Sequence, residues 1–191
     1  MNKSLKKLLI VLAVILIIIL PLVTTYNKLV TLEQNVEQTQ SEIDKQLQRR
    51  MDLIPNIVET VKGYATQEKE IYTNIAEARA KLSGANTITE KANADNQLSS
   101  ALSRLLVVVE NYPQLKSDAN FRDLTVSLEG TENRITIARG DYNEAVKSYN
   151  VAIRRFPSSI VAGVFGFDKK DYYKAENGAK EVPKVDFSNL K

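Results

Sequence analysis

Glu68 is the residue whose type least suits its place. It falls within apolar residues spaced by three and four, Ile54, Ile57, Val61, Tyr64, Glu68, Ile71, Ile75, Ala78 and Leu82. A carboxylate on such a seam must be paired, protonated or wetted once it leaves water. Arg134, one before Ile135, and Arg139, one after Ala138, flank a second seam, so a Glu68–arginine pair in a polar core is the structural expectation. A carboxylate-centred enzyme or regulatory site around Glu68 is the functional one. The cluster Arg49-Arg50-Met51-Asp52 reads as a turn with Asp52 as a cap and the remaining charges solvated. Glu129 and Glu132, three apart on one helical face, could offer oxygens to a hard cation. No second acidic pair completes that set, so neither a metal nor another cofactor is expected.

Composition removes most other chemistry. The 191 residues include no histidine and no cysteine, which excludes Ser-His-Asp and Cys-His nucleophiles, thiolate or imidazole zinc sites and disulfides. The net charge of +3 equals the contribution of Lys3, Lys6 and Lys7 alone. The rest of the chain is balanced, which argues against a nucleic-acid surface, since phosphate binding needs an uncompensated basic field. With no catalytic constellation in view, a non-enzymatic protein is expected.

These residues must be held by helices. Gly and Pro are sparse, and apolar residues recur at steps of three and four. Phe121, Leu128, Ile135, Tyr142, Tyr149 and Phe156 are spaced by seven, and Leu124, Thr131, Ala138, Ala145 and Ala152 follow the first five by three. That is a long helix with a heptad seam from about Asp118 to Phe156. The series containing Glu68 stops before Ser83-Gly84, and Leu98, Ala101, Leu105, Val108 and Tyr112 run to Pro113 and mark a helix from about Thr89 to Asn111. Leu29, Leu32, Val36, Ile43 and Leu47 form a thinner first series. Pro55 deletes a backbone donor, and with Asp52 as cap it favours a turn around Arg50–Leu53. The expected fold is therefore all-α: an N-terminal transmembrane helix followed by an antiparallel four-helix bundle. The alternative is three long helices, the first kinked at Pro55.

The transmembrane assignment rests on residues 8–25. Leu8 to Val23 is apolar, and no charge appears between Leu8 and Lys28, enough for the roughly 20 residues a bilayer core requires. Branched and bulky residues after the run give no peptidase site of the A-x-A kind, so the segment reads as an uncleaved anchor rather than a signal peptide. The basic segment 1–7 keeps the N-terminus cytoplasmic and sends the bundle, 26–157, to the outer side of the cell membrane. Residues 158–191 hold an apolar, glycine-containing element and a charged, partly flexible tail. Within that element Val164, Phe165 and Phe167 form a candidate contact patch for a partner or the membrane, or else fold back onto the bundle.

Three stretches carry a resemblance: Leu47-Gln48-Arg49-Arg50-Met51-Asp52-Leu53-Ile54-Pro55-Asn56-Ile57 and its continuation to Ala65, Glu110-Asn111-Tyr112-Pro113-Gln114-Leu115-Lys116, and Leu128-Glu129-Gly130-Thr131-Glu132-Asn133-Arg134-Ile135 leading to Ala138-Arg139. Together they resemble the LemA family, from Tyr26 to the Gly163–Phe167 element. The resemblance implies a membrane helix followed by an antiparallel helical bundle and no known enzymatic activity. One departure is Lys174, where members tend to carry an acid before the alanine. The expected function is that of a single-pass envelope scaffold or interaction module. Its partners would be the lipid bilayer and other envelope proteins or further copies of itself. A transmembrane signal transmitter is a further reading, which a first helix continuous through Pro55 would favour.

Overall fold

The computed structural model describes residues 3–174, and the side chains of that range apart from those of 3–11, 14, 15 and 18. Every regular element among the described residues is an α-helix. In chain order these are α1 (Lys3–Lys62), α2 (Lys69–Gly84), α3 (Ile88–Val109), α4 (Pro113–Ser117), α5 (Ala119–Arg154) and α6 (Ser158–Phe165). They divide into two units: the chain up to Gln46 with Arg134–Asp171, and Leu47–Asn133 with the residues from Tyr172. Among the described residues no helix is long and apolar enough to cross a membrane; of the expected span, residues 8–25, the side chains of 8–11, 14, 15 and 18 lie outside the described ones.

The expected turn at Arg50–Leu53 is absent, because α1 runs through Asp52 and Pro55 without interruption for 60 residues. Asp52 is therefore a mid-helix residue that accepts a bond from Gln48 Nε2 at 2.8 Å, not a cap. Proline at position 55 leaves the carbonyl four residues earlier, that of Met51, without its helical donor. Arg79 of α2 supplies one: its Nε–H donates to the Met51 oxygen at 3.1 Å. The break falls later, after Lys62. Gly63 follows the last helical residue, and the Ala65 carbonyl of the turn accepts the Tyr72 hydroxyl at 2.6 Å. The single helix expected from Ile54 to Leu82 is thus two pieces separated by residues 63–68.

Elsewhere local chemistry sets the ends. Thr87 and Glu90 form a capping box at the start of α3: the Thr87 hydroxyl accepts from the Glu90 N–H, and the Glu90 carboxylate accepts from the Thr87 N–H. Asp118 accepts from the Phe121 N–H at 2.9 Å where α5 begins, and Pro113 opens the short α4. The heptad seam of α5 is buried at Phe121, Leu128, Ile135, Tyr142 and Tyr149. Phe156 is 83% exposed, beyond the end of the helix.

In the first unit the seam of α1, Leu29, Val36 and Ile43, is buried, as are Ile135, Tyr142, Val146 and Tyr149 of α5 and Val161 and Ala162 of α6. The second unit has its own core of residues such as Ile54, Ile57 and Val61 of α1, Ile75 and Leu82 of α2, Leu98 and Leu105 of α3, and Phe121 of α5.

Candidate functional site

The buried charges of the second unit are not those expected. Glu68 sits at the N-terminal boundary of α2, half-exposed, makes no side-chain capping bond and forms no ion pair among the described residues. Arg134 is exposed and Arg139 half-buried, and both belong to the first unit. The spacing that put Glu68 on a seam assumed an unbroken helix, and the turn at 63–68 resets the phase.

The polar core is centred instead on Arg50, which is 4% exposed. Continuity of α1 through Pro55 carries Arg50 onto the seam, three residues after Leu47 and four before Ile54. Its Nη1 lies 2.6 Å from Asp95 Oδ1 and 2.8 Å from Glu132 Oε2, and its Nη2–H donates to Ser99 Oγ at 2.9 Å. Asp95 is fully buried on α3, three before Leu98, and its second oxygen accepts the Tyr173 hydroxyl at 3.1 Å. Helices α1, α3 and α5 therefore converge on one guanidinium, and the segment after α6 joins the cluster through Asp95. The side chain of Glu132 is 38% exposed, so water shares its charge while Asp95 relies on protein partners alone.

This arrangement clamps more than it reacts. Ser99 accepts from a fixed cation, and no imidazole or thiolate exists in the chain to activate it. The clefts of the second unit lie elsewhere. One of about 270 Å³ between α2 and α3 is lined by residues including Asn74, Glu77, Lys81, Gln97 and Arg104. Among the described residues no group of three or more acids could hold a metal ion; Glu132 spends its carboxylate on Arg50, and Glu129 is exposed.

In the first unit a second polar cluster fastens the chain after α6. The buried Asn150 side chain takes both main-chain groups of Lys170, donating to its carbonyl at 2.8 Å and accepting from its N–H at 3.0 Å. The Tyr142 hydroxyl donates to the Asp171 carbonyl at 2.8 Å, and Lys170 Nζ pairs with Glu33 at 2.8 Å. Segment 168–173 is therefore held in place, where the sequence reading had a partly flexible tail; residues 175–191 lie outside the described residues. Burial, with Glu33 and Asp168 adding to it, pushes the Tyr149 hydroxyl up to about 12. Of the expected contact patch, Val164 and Phe165 are exposed and Phe167 is half-buried.

Residues 39–187 match the sequence pattern described as the LemA family. The chain belongs to the LemA family. Its relatives include a magnetosome protein MamQ of Paramagnetospirillum magneticum, 27% identical over 85% of this chain and 69% of its own length. A magnetosome protein MamQ of Magnetospirillum gryphiswaldense shows the same identity and coverage. A protein LemA of Metamycoplasma hominis is 26% identical over 84% of this chain and 72% of its own length. In this LemA-family chain the matched range contains the whole Arg50 cluster: Arg50, Asp95, Ser99, Glu132 and Tyr173.

Proposed function

We propose that this chain is a membrane-anchored, non-enzymatic helical protein that presents its bundle as a docking surface to other envelope components. The observation that carries the anchor is the state of α1 before Tyr26. Leu12, Leu16, Ile17, Ile19, Leu20, Leu22 and Val23 are all between 41% and 71% exposed. A helix whose described apolar side chains stand uncovered in this way needs another apolar phase, and a bilayer is the phase that the run from Leu8 to Val23 suits. Lys3, Lys6 and Lys7 favour a cytoplasmic N-terminus, which puts the bundle outside. The relatives' names, magnetosome protein and LemA, name a compartment and a family rather than a reaction, in keeping with a docking role.

The continuity of α1 favours a second role for the same molecule. A helix unbroken from the apolar run to Arg50 can carry a displacement of the anchor into the second unit. The test is flotation of the full chain with vesicles after an alkaline wash, followed by protease treatment of intact cells with any outer barrier opened. Retention with the vesicles and digestion after Asn27 are expected. Release by alkali would overturn the anchor, and full protection against a digested external control would reverse the orientation. Crosslinking in intact membranes that recovers nothing beyond this chain would remove the docking role.

A further inference from the structure

The geometry points to α6 as a second membrane contact, an interfacial helix that lays Ile160 and Val164 onto the bilayer beside the anchor, with Phe165 at its edge. This rests on the anchor reading above. Helix α6 has two faces. Val161 and Ala162 are buried within the first unit, and Phe165, four and three residues on, lies on their side at the end of the helix, whereas Ile160 and Val164, four apart, form the other face at 55% and 73% exposed, an apolar surface of the kind that folded chains cover.

The position of this surface decides what covers it. The Tyr26 ring lies 4.9 Å from that of Phe165 and 5.7 Å from that of Phe167, and Tyr26 stands three residues after Val23, where the apolar run of α1 ends. The end of α6 is therefore level with the expected membrane boundary, where aromatic rings with a polar edge accumulate. Helix α5 arrives at the same level. It runs antiparallel to α1, with Ala138 across a shared cleft from Thr39 and Tyr149 alongside Glu33 through Lys170, and that register brings its last residue, Arg154, level with about Lys28. Phe156, in the turn between α5 and α6, is exposed as well.

Charge selects among occupants. Lys28, Arg154, Arg155 and Lys169 are exposed around this end, against the acids Asp168 and Asp171. Aromatic and aliphatic side chains rimmed by an excess of cations fit an anionic lipid surface, where each basic residue adds attraction. A second copy of the chain would bring the same cations face to face.

The chain has no cysteine, so single reporters can be placed in the full-length protein. Val164→Cys, Ile160→Cys and, as control on the exposed side of α5, Ile137→Cys would each carry an environment-sensitive fluorophore in phosphatidylcholine–phosphatidylglycerol vesicles. Ile137 is 64% exposed and lies more than four helical turns from Arg154, on the order of 25 Å along the axis. Blue-shifted emission at 160 and 164 that is lost to lipids brominated near the headgroup, with neither effect at 137, is the expected result. If the protein floats with vesicles but the 160 and 164 labels stay in water, α6 is not a membrane contact and the anchor stands. A blue shift without quenching by brominated lipid would assign the surface to a protein neighbour and overturn the inference. Failure to float would remove the anchor reading and this one with it.

Discussion

Arg79 donates to the main-chain oxygen of Met51, the carbonyl that Pro55 deprives of its helical donor. A side chain 28 positions along the chain thus repairs the defect that a proline introduces into α1.

This relationship gives a double-mutant cycle. Arg79→Ala should destabilise the protein by about 1 kcal/mol, the usual value of one hydrogen bond. Pro55→Ala restores an N–H at the right place, so it should stabilise, and in its background the cost of Arg79→Ala should fall close to zero. Urea denaturation of the four proteins measures the coupling; additive effects would show that the two residues act independently.

Arg50 should be the most sensitive charge in the second unit. Arg50→Met removes the guanidinium that the buried Asp95 shares with Glu132, and the expected loss is about 3–5 kcal/mol. Arg50→Met combined with Asp95→Leu should recover most of that, because the buried carboxylate is removed together with the guanidinium. Tyr173→Phe removes only the hydroxyl that Asp95 accepts, for about 1 kcal/mol. A Tyr173→Phe loss as large as that of Arg50→Met would mean that the tyrosine, not the arginine, holds the cluster.

Tyr149 predicts a loss of stability in alkali. Its hydroxyl titrates near 12 in the folded state against an ordinary 10.0, so the unfolded chain releases its proton first. The contribution is full below pH 10 and is lost as pH rises toward 12, on the order of a few kcal/mol at most. The hydroxyl is buried and has no hydrogen-bond partner among the described residues. Tyr149→Phe should therefore be tolerated at neutral pH and flatten the alkaline limb of a stability-versus-pH curve. An unchanged limb would contradict the assignment.

At acid pH the capping box of α3 gives the opposite sign. Main-chain bonds from Thr87 and Asn86, with the Thr87 side chain, hold the Glu90 carboxyl below its ordinary 4.5. Its contribution is present above that value and disappears as pH falls through the lower folded one. Glu90→Gln should remove this acid-dependent increment. Thr87→Ala should cost about 1 kcal/mol at neutral pH through loss of the cap. Chemical denaturation at pH 7 and at pH 3 separates the two effects.

The parts of the fold legible in the sequence are those decided within a few residues of chain. The seam of α5 repeats every seven residues, and its start is fixed by Asp118 only three residues before Phe121. Arg50 and Asp95 also carried a local signal, since each falls on a three-four seam, Arg50 between Leu47 and Ile54 and Asp95 before Leu98. It was masked for Arg50 by the turn expected at Pro55. That expectation failed because the donor rescuing Met51 comes from Arg79 on another helix, and no spacing rule reports such a bond. The true break was marked by Gly63 behind Lys62, but the three-four rhythm can be threaded through Tyr64 and Glu68, which hid it. The arrival of Glu132 at the guanidinium and of Tyr173 at Asp95 depends on tertiary packing and leaves no trace in the spacing of either residue.

The fastening of the segment after α6 leaves an uneven freedom to vary. Asn150 and Tyr142 grip Lys170 and Asp171 by peptide N–H and C=O groups, which nearly every amino acid possesses. Substitution at 171 therefore leaves that grip intact, and substitution at 170 surrenders the contact with Glu33 and the charge over the Tyr149 ring but keeps the main-chain bonds. Two positions on the tolerance inverts. Tyr173 is buried with its hydroxyl on Asp95, so a change of side chain there disturbs the core, while Lys174 is exposed and free to carry either sign of charge. Related chains can thus drift widely along this segment while its path stays the same.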